Sequence, residues 1–256
     1  MDWHISIAGL FVGFLIGLTG MGGGALMTPI LIFLGVRPTV AIGTDLVYAA
    51  ITKIFGGTLH LKQRSVDLTL VFYLALGSVP GSLIAVNIIK RMSAVSEAGV
   101  DEFLTHALGL TLLLVAATLL IRPFVQSRTP RQTLCMARKP RHHLYTVLLG
   151  FVVGFLVGLT SVGSGTLILI ALLMLYPYLV TSKIVGTDVF HGAILVSAAG
   201  LAHFTVGNVN LPIVGSLLVG SIPGVLLGSR LSVQVPEMVL RPILATVLLV
   251  SGWRLI

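Results

Sequence analysis

Ten apolar runs follow one another along the chain, near residues 5–18, 24–35, 42–60, 68–89, 103–121, 144–159, 165–180, 185–206, 211–229 and 238–254. Only short stretches of charge, proline or glycine separate them, which is the pattern of helices built for a bilayer. The charge supply agrees. The 16 Lys and Arg with 8 Asp and Glu make up 9% of the 256 residues, against roughly 25% in a soluble domain. So few charges cannot solvate a globular surface, which excludes a soluble enzyme, a disordered chain and a disulfide scaffold. The expected fold class is an all-α polytopic membrane protein with no separate soluble domain.

In such a chain the net charge of +8 speaks to topology and lipid, and no nucleic-acid partner is expected. The single cysteine, Cys135, lies in the most basic loop, so neither a disulfide framework nor a cysteine metal site is expected, and no cofactor is implied. The first residues, Met1-Asp2-Trp3-His4, carry no Lys or Arg before the apolar run, and no small-residue cleavage site follows. This reads as a retained membrane segment.

The two halves of the sequence resemble each other. Gly13–Leu26 lies over Gly154–Leu167 with 9 identities in 14 positions at an offset of 141. At an offset of 143, Gly43-Thr44-Asp45 matches Gly186-Thr187-Asp188, His60 matches His203, and Gly77–Gly81 matches Gly220–Gly224. Residues 1–121 and 144–256 are therefore read as two transmembrane repeats of about five segments each. The stretch 122–143, with Arg122, Arg128, Arg131, Arg138, Lys139 and Arg141, is read as a basic linker. Membrane proteins with related halves are typically transporters whose site lies between the repeats.

The run 24–35 amounts to about 18 Å of helix, short of a core about 30 Å thick. Taken as a whole, 5–35 is too long for one simple crossing. A pair of short helices meeting at a glycine-rich break, re-entrant or thin, returns the chain to its starting side. With three further spans each half then crosses an odd number of times, so the second repeat is inverted. That arrangement collects 11 basic residues on one side and 4 on the other, a stronger bias than the 9 against 6 of a single broken span. The expected placement is an inner membrane, with the linker in the cytoplasm and both termini outside.

Four features carry candidate chemistry. The breaks Thr19–Gly24 and Thr160–Gly165 interrupt apolar helices at matching places, and backbone freed from a helix at membrane depth is tolerated only beside protein or a watery cavity. A helix beginning there turns unpaired N–H groups toward an anion. Thr19, Gly22, Gly23, Gly24, Thr160, Gly163, Ser164 and Gly165 are accordingly candidate substrate-binding residues, with close helix packing as the alternative use of the glycines. Asp45 and Asp188 are the acidic residues inside predicted apolar segments, read either as helix N-caps or as proton carriers. Lys53 has Val196 as its repeat counterpart and needs a partner: the substrate, a carboxylate, or interfacial water. His191, three residues after Asp188, is a candidate in proton coupling or a structural histidine. His60 and His203 read as interfacial, and Pro80 and Pro223 as helix kinks. The histidines never take the H-E-x-x-H form, and Ser164 has Gly23 as its counterpart, so neither a zinc nor a serine hydrolase is supported and no enzyme activity is expected.

The doubled G-F-L-[IV]-G-L-T-x-x-G-x-G element, each copy followed by G-T-D, resembles the TauE/SafE sulfite exporter family of permeases over residues 5–254. The resemblance implies a secondary transporter of a small sulfur-containing anion, such as sulfite or an organosulfonate, with the glycine-rich and G-T-D elements as its functional core. It leaves direction open. The combined expectation is a proton-coupled, alternating-access transporter whose partners are a small anion and the lipid bilayer. A homo-oligomer is compatible with this. A passive anion channel and a non-transporting scaffold or assembly factor are the alternatives.

Overall fold

A computed structural model describes residues 3–19, 24–128, 140–231 and 237–256. Among them there are ten helices and no strand: α1 (Trp3–Thr19), α2 (Gly24–Phe33), α3 (Pro38–Lys62), α4 (Leu68–Ser93), α5 (Glu97–Arg128), α6 (Pro140–Thr160), α7 (Thr166–Leu175), α8 (Thr181–Val206), α9 (Leu211–Leu231) and α10 (Glu237–Leu255). They fall where the apolar runs predict. Six are long and apolar enough to cross a membrane, and α1, α2, α7 and residues 242–255 of α10 form shorter apolar helices. Outward-facing Phe72, Leu201 and Trp253 are 62%, 64% and 79% exposed, an apolar exterior that only lipid can cover. At 10 residues, α2 and α7 each reach about 15 Å, half the hydrocarbon core.

The helix ends have local causes. Gly35 closes α2 in the left-handed region (φ 86°), with Val36 N–H reaching Leu31 O and Gly35 N–H reaching Ile32 O. Gly207 ends α8 in the same way, and at the matching position Arg64 holds φ 55° to end α3. The run expected over 165–180 stops as a helix at Leu175, because Tyr176 precedes Pro177 and proline disfavours helical geometry in the residue before it. The linker expected over 122–143 is helical at both ends, since α5 continues to Arg128 and α6 begins at Pro140. Cys135 lies outside the described residues.

Packing follows the repeat. α1 lies along α9 and α6 along α4, so the first helix of each half packs on the fourth helix of the other. Both seams are made of glycine. Gly9, Gly13 and Gly17 of α1 meet the backbone of Leu217, Ser221 and Val225, while Gly220, Gly224 and Gly228 of α9 meet Ser6, Leu10 and Phe14. Gly150, Gly154 and Gly158 of α6 meet α4 at Leu74, Ser78 and Ser82, and Gly77 and Gly81 meet Val147 and Phe151. A Cβ at Gly13 would lie 2.5 Å from the Ser221 carbonyl oxygen, so no larger residue fits. Lipid offers no hydrophobic drive for helix association, and close backbone approach supplies dispersion contact instead. Much of the glycine content is thus spent on helix contacts well away from the two breaks.

Between these seams α3 packs on α8, and α5 on α10. α3 and α8 run antiparallel: Gly43 meets Asn208, Leu46 meets Gly200, Lys53 meets Gly192 and Gly57 meets Phe190. α5 and α10 touch at Gly109 and Gly252, which occupy matching repeat positions, each 2.9 Å from a Cβ built on the other as measured to its carbonyl oxygen.

Candidate functional site

α6 ends because Ser161 turns left-handed (φ 62°), and Gly163 continues the break at φ 107°, a conformation that costs a residue with a Cβ. Thr160 Oγ1 donates to Leu156 O (2.8 Å) and accepts from Val162 N–H (3.3 Å), so this threonine stabilises the break itself. α7 then starts at Thr166 with Gly165 as its N-cap and no capping side chain. In the first half α2 starts at Gly24. Gly22, Gly23 and the side chain of Thr19 lie outside the described residues.

The two breaks meet. A Cβ at Gly24 would lie 2.6 Å from the Ser161 carbonyl oxygen and 3.4 Å from Asp45 Oδ2. Asp45, fully buried, accepts through Oδ2 from Thr28 Oγ1 of α2 (2.6 Å) and from Ser161 Oγ (2.8 Å). Its other oxygen, Oδ1, is buried and has no hydrogen-bond partner among the described residues. One carboxylate therefore joins α3, the start of α2 and the break of the other half. It caps no helix end: α3 begins at Pro38, and its first turn is held by Asp101 of α5, whose Oδ1 accepts from Thr39 N–H (3.1 Å) and Thr39 Oγ1 (2.7 Å). Asp188, at the matching place on α8, is 5% exposed and lies as far from the start of its helix, which begins at Thr181 after Val180.

Two turns beyond Asp45, Lys53 reaches toward the second break, where Nζ donates to Ser164 Oγ at 2.5 Å. Its Nζ would lie 3.1 Å from a Cβ at Gly192, so the glycine leaves the ammonium its space. Both Asp45 and Asp188 are within electrostatic reach of it. Lys53 therefore turns toward the protein interior, and its hydrogen-bond partner is a serine of the candidate substrate site.

His191 is fully buried, and its Nε2 shares a 2.8 Å hydrogen bond with Ser78 Oγ of α4. At the matching position on α3, Tyr48 is buried with its hydroxyl toward Ser221 of α9, the counterpart of Ser78. Each central helix thus presents a polar ring to a serine two residues ahead of the proline in α4 or α9. Pro80 and Pro223 do lie inside those helices. His203 differs from expectation: although in the last turn of α8, it is fully buried, and its Nε2 donates to the Gly158 carbonyl (3.0 Å), a partner that the end of α6 brings beside it. His60 is half-buried beside Ser65 Oγ (3.0 Å).

The G-T part of each G-T-D element has a packing role. Thr44 Oγ1 accepts the Asn210 N–H (3.1 Å) and Thr187 Oγ1 accepts the Asp67 N–H (2.9 Å), while Gly43 and Gly186 lie against Asn208 and Ser65. Asn210 and Asp67 in turn accept backbone N–H bonds at the starts of α9 and α4. Each element clamps the loop before the fourth helix of the opposite half and leaves its aspartate for the centre. The sequence alone did not single out Thr28, Ser78 and Ser161 as partners of Asp45 and His191. For Ser161 the signal was present, in its place within the quoted break; Thr28 offered only a hydroxyl one turn into an apolar run.

Among the described residues, ten helices with an apolar exterior, six of them able to span a bilayer, enclosing polar groups beside the second helix break, define a multi-pass membrane protein. The chain belongs to the family described as Sulfite exporter TauE/SafE, which matches residues 5–255. Relatives include the probable membrane transporter protein YjnA of Bacillus subtilis, 45% identical with the full length of both chains covered. YunE of the same organism, also described as a probable membrane transporter protein, is 29% identical over 98% of this chain and 95% of its own. A probable membrane transporter protein of Haemophilus influenzae is 24% identical over 91% of this chain and 86% of its own. No solved structure matches. The protein is a membrane transporter of the TauE/SafE type, embedded in lipid and acting on a small molecule.

Proposed function

We propose that the protein is a secondary transporter that moves a small sulfur-containing anion, sulfite or an organosulfonate, across the inner membrane with proton coupling. The observation that carries this is the meeting of the two breaks around Asp45, with Lys53 extended to Ser164. The Ser164 hydroxyl, the glycine backbone of both breaks (Thr19 and Gly22–Gly24; Gly163 and Gly165) and the Lys53 ammonium offer an oxyanion donors and one positive charge, while Thr160 holds the turn that presents them. Asp45 and Asp188 are the proton carriers, and His191 aligns α8 on α4. The family description supports the sulfur anion.

In this reading residues 1–121 and 144–256 are inverted repeats joined by a cytoplasmic linker, with both termini outside. The antiparallel course of α3 and α8, which match in sequence, supports the inversion. Alternating access is a rocking of one half on the other. The test is flux in proteoliposomes: uphill accumulation of sulfite or a sulfonate under an imposed pH gradient is expected. Downhill movement alone reassigns the protein as a channel, and no movement of any sulfur oxyanion removes the reading.

A further inference from the structure

The buried centre holds more acidic than basic side chains. Among the described residues, Asp45 and Asp188 are the buried carboxylates, and Lys53 is the one cation set well inside a helix of the core. Set against Asp45 and Lys53 are hydroxyls and rings: Thr28 of α2, Ser161 and Ser164 of the second break, Tyr48 of α3 and His191 of α8. With both carboxylates ionised, one ammonium leaves a net charge of −1. A monoanion binding at Lys53 raises this to −2 in a region with little water, where uncompensated charge is costly. One proton taken up by a carboxylate restores the starting value. Asp45 Oδ1, buried and without a hydrogen-bond partner among the described residues, is a position where that proton sits without breaking an existing bond. A dianion needs two protons for the same balance.

We propose that this centre selects its cargo by charge state: it carries one monoanion together with one proton, electroneutrally, and disfavours dianions, which need both carboxylates protonated at once. Proton and anion move in the same direction, and the carboxylate releases its proton when the anion leaves Lys53. The class of cargo is then R–SO3⁻ or HSO3⁻ in preference to SO4²⁻ or SO3²⁻. This rests on the transporter reading above.

The test uses the full chain in proteoliposomes with labelled methanesulfonate, a monoanion near neutral pH, and labelled sulfate, a dianion. Methanesulfonate uptake is expected to acidify the lumen and to ignore a potassium–valinomycin potential of either sign. Sulfate uptake is expected to be on the order of a hundredfold slower. Asp188→Asn removes one negative charge, and its residual methanesulfonate flux is expected to lose the accompanying proton and become driven by potential. Methanesulfonate flux in the unmodified protein that responds to potential, or sulfate flux equal to it, overturns the charge-state inference and leaves transport standing. Absence of flux for every sulfur anion overturns both.

Discussion

Gly24→Ala is the smallest change that tests whether the two helix breaks act as one site. The added Cβ would lie 2.6 Å from the Ser161 carbonyl oxygen, whereas ordinary contact begins at 3.4 Å, so backbone must yield by about 0.8 Å. Neither side is the far end of a flexible side chain, and overpacking of this kind costs about 1–3 kcal/mol. Moving Ser161 to relieve the overlap stretches its 2.8 Å bond to Asp45, at most to about 3.6 Å, where it is no longer a hydrogen bond. A hydrogen bond to a charged group contributes about 1.5–3 kcal/mol. If transport passes through the state in which the breaks touch, a loss of this size slows it about tenfold to a hundredfold. The assay is initial-rate anion flux in proteoliposomes, alongside thermal unfolding in detergent. Ser161→Ala removes the hydroxyl alone, and the double variant is expected to be clearly less impaired than the two singles summed, because both act on one bond. Gly215→Ala, with open space around it, serves as a control and is expected to be neutral or slightly stabilising. Wild-type flux and stability in Gly24→Ala, or strict additivity with Ser161→Ala, refutes the coupling of the breaks.

Gly154→Leu, placed against the Ser78 backbone, is expected to prevent assembly of α6 on α4, seen as loss of the monodisperse peak in size-exclusion chromatography. Thr44→Val and Thr187→Val each orphan a backbone N–H at the start of a helix and are expected to cost about 1–3 kcal/mol in chemical unfolding. On the outward side of the proposed topology, Arg37→Ala breaks an exposed ion pair with Glu97 (2.8 Å) and is expected to change stability by less than about 1 kcal/mol. Asp101→Ala removes two acceptor contacts from Thr39 and is expected to cost about 1–2 kcal/mol, and equal effects of these two changes count against the capping role.

The sequence determined the fold class, the ten helices and the division into related halves, because hydropathy and helix length are properties of single segments and a repeat is a property of order along the chain. It also located the breaks and singled out Asp45, Asp188 and Lys53, since a charge within an apolar run is visible without coordinates. The glycine spacing in α1 and α9 carried a packing signal as well, one that read as background until the partner helix was known. What each polar group touches was decided by the tertiary structure. The G-T-D element reads as one motif along the chain, yet in its first copy Thr44 bonds a loop and Asp45 the opposite half's break, because successive residues of a helix point in directions about 100° apart. His203 lies near a helix end, which reads as interfacial; that end is covered by α6, and only packing reveals it. Lys53 gave no repeat signal at all, and its direction toward Ser164 depends on α3 and α8 crossing antiparallel, a relation between segments that no single segment encodes.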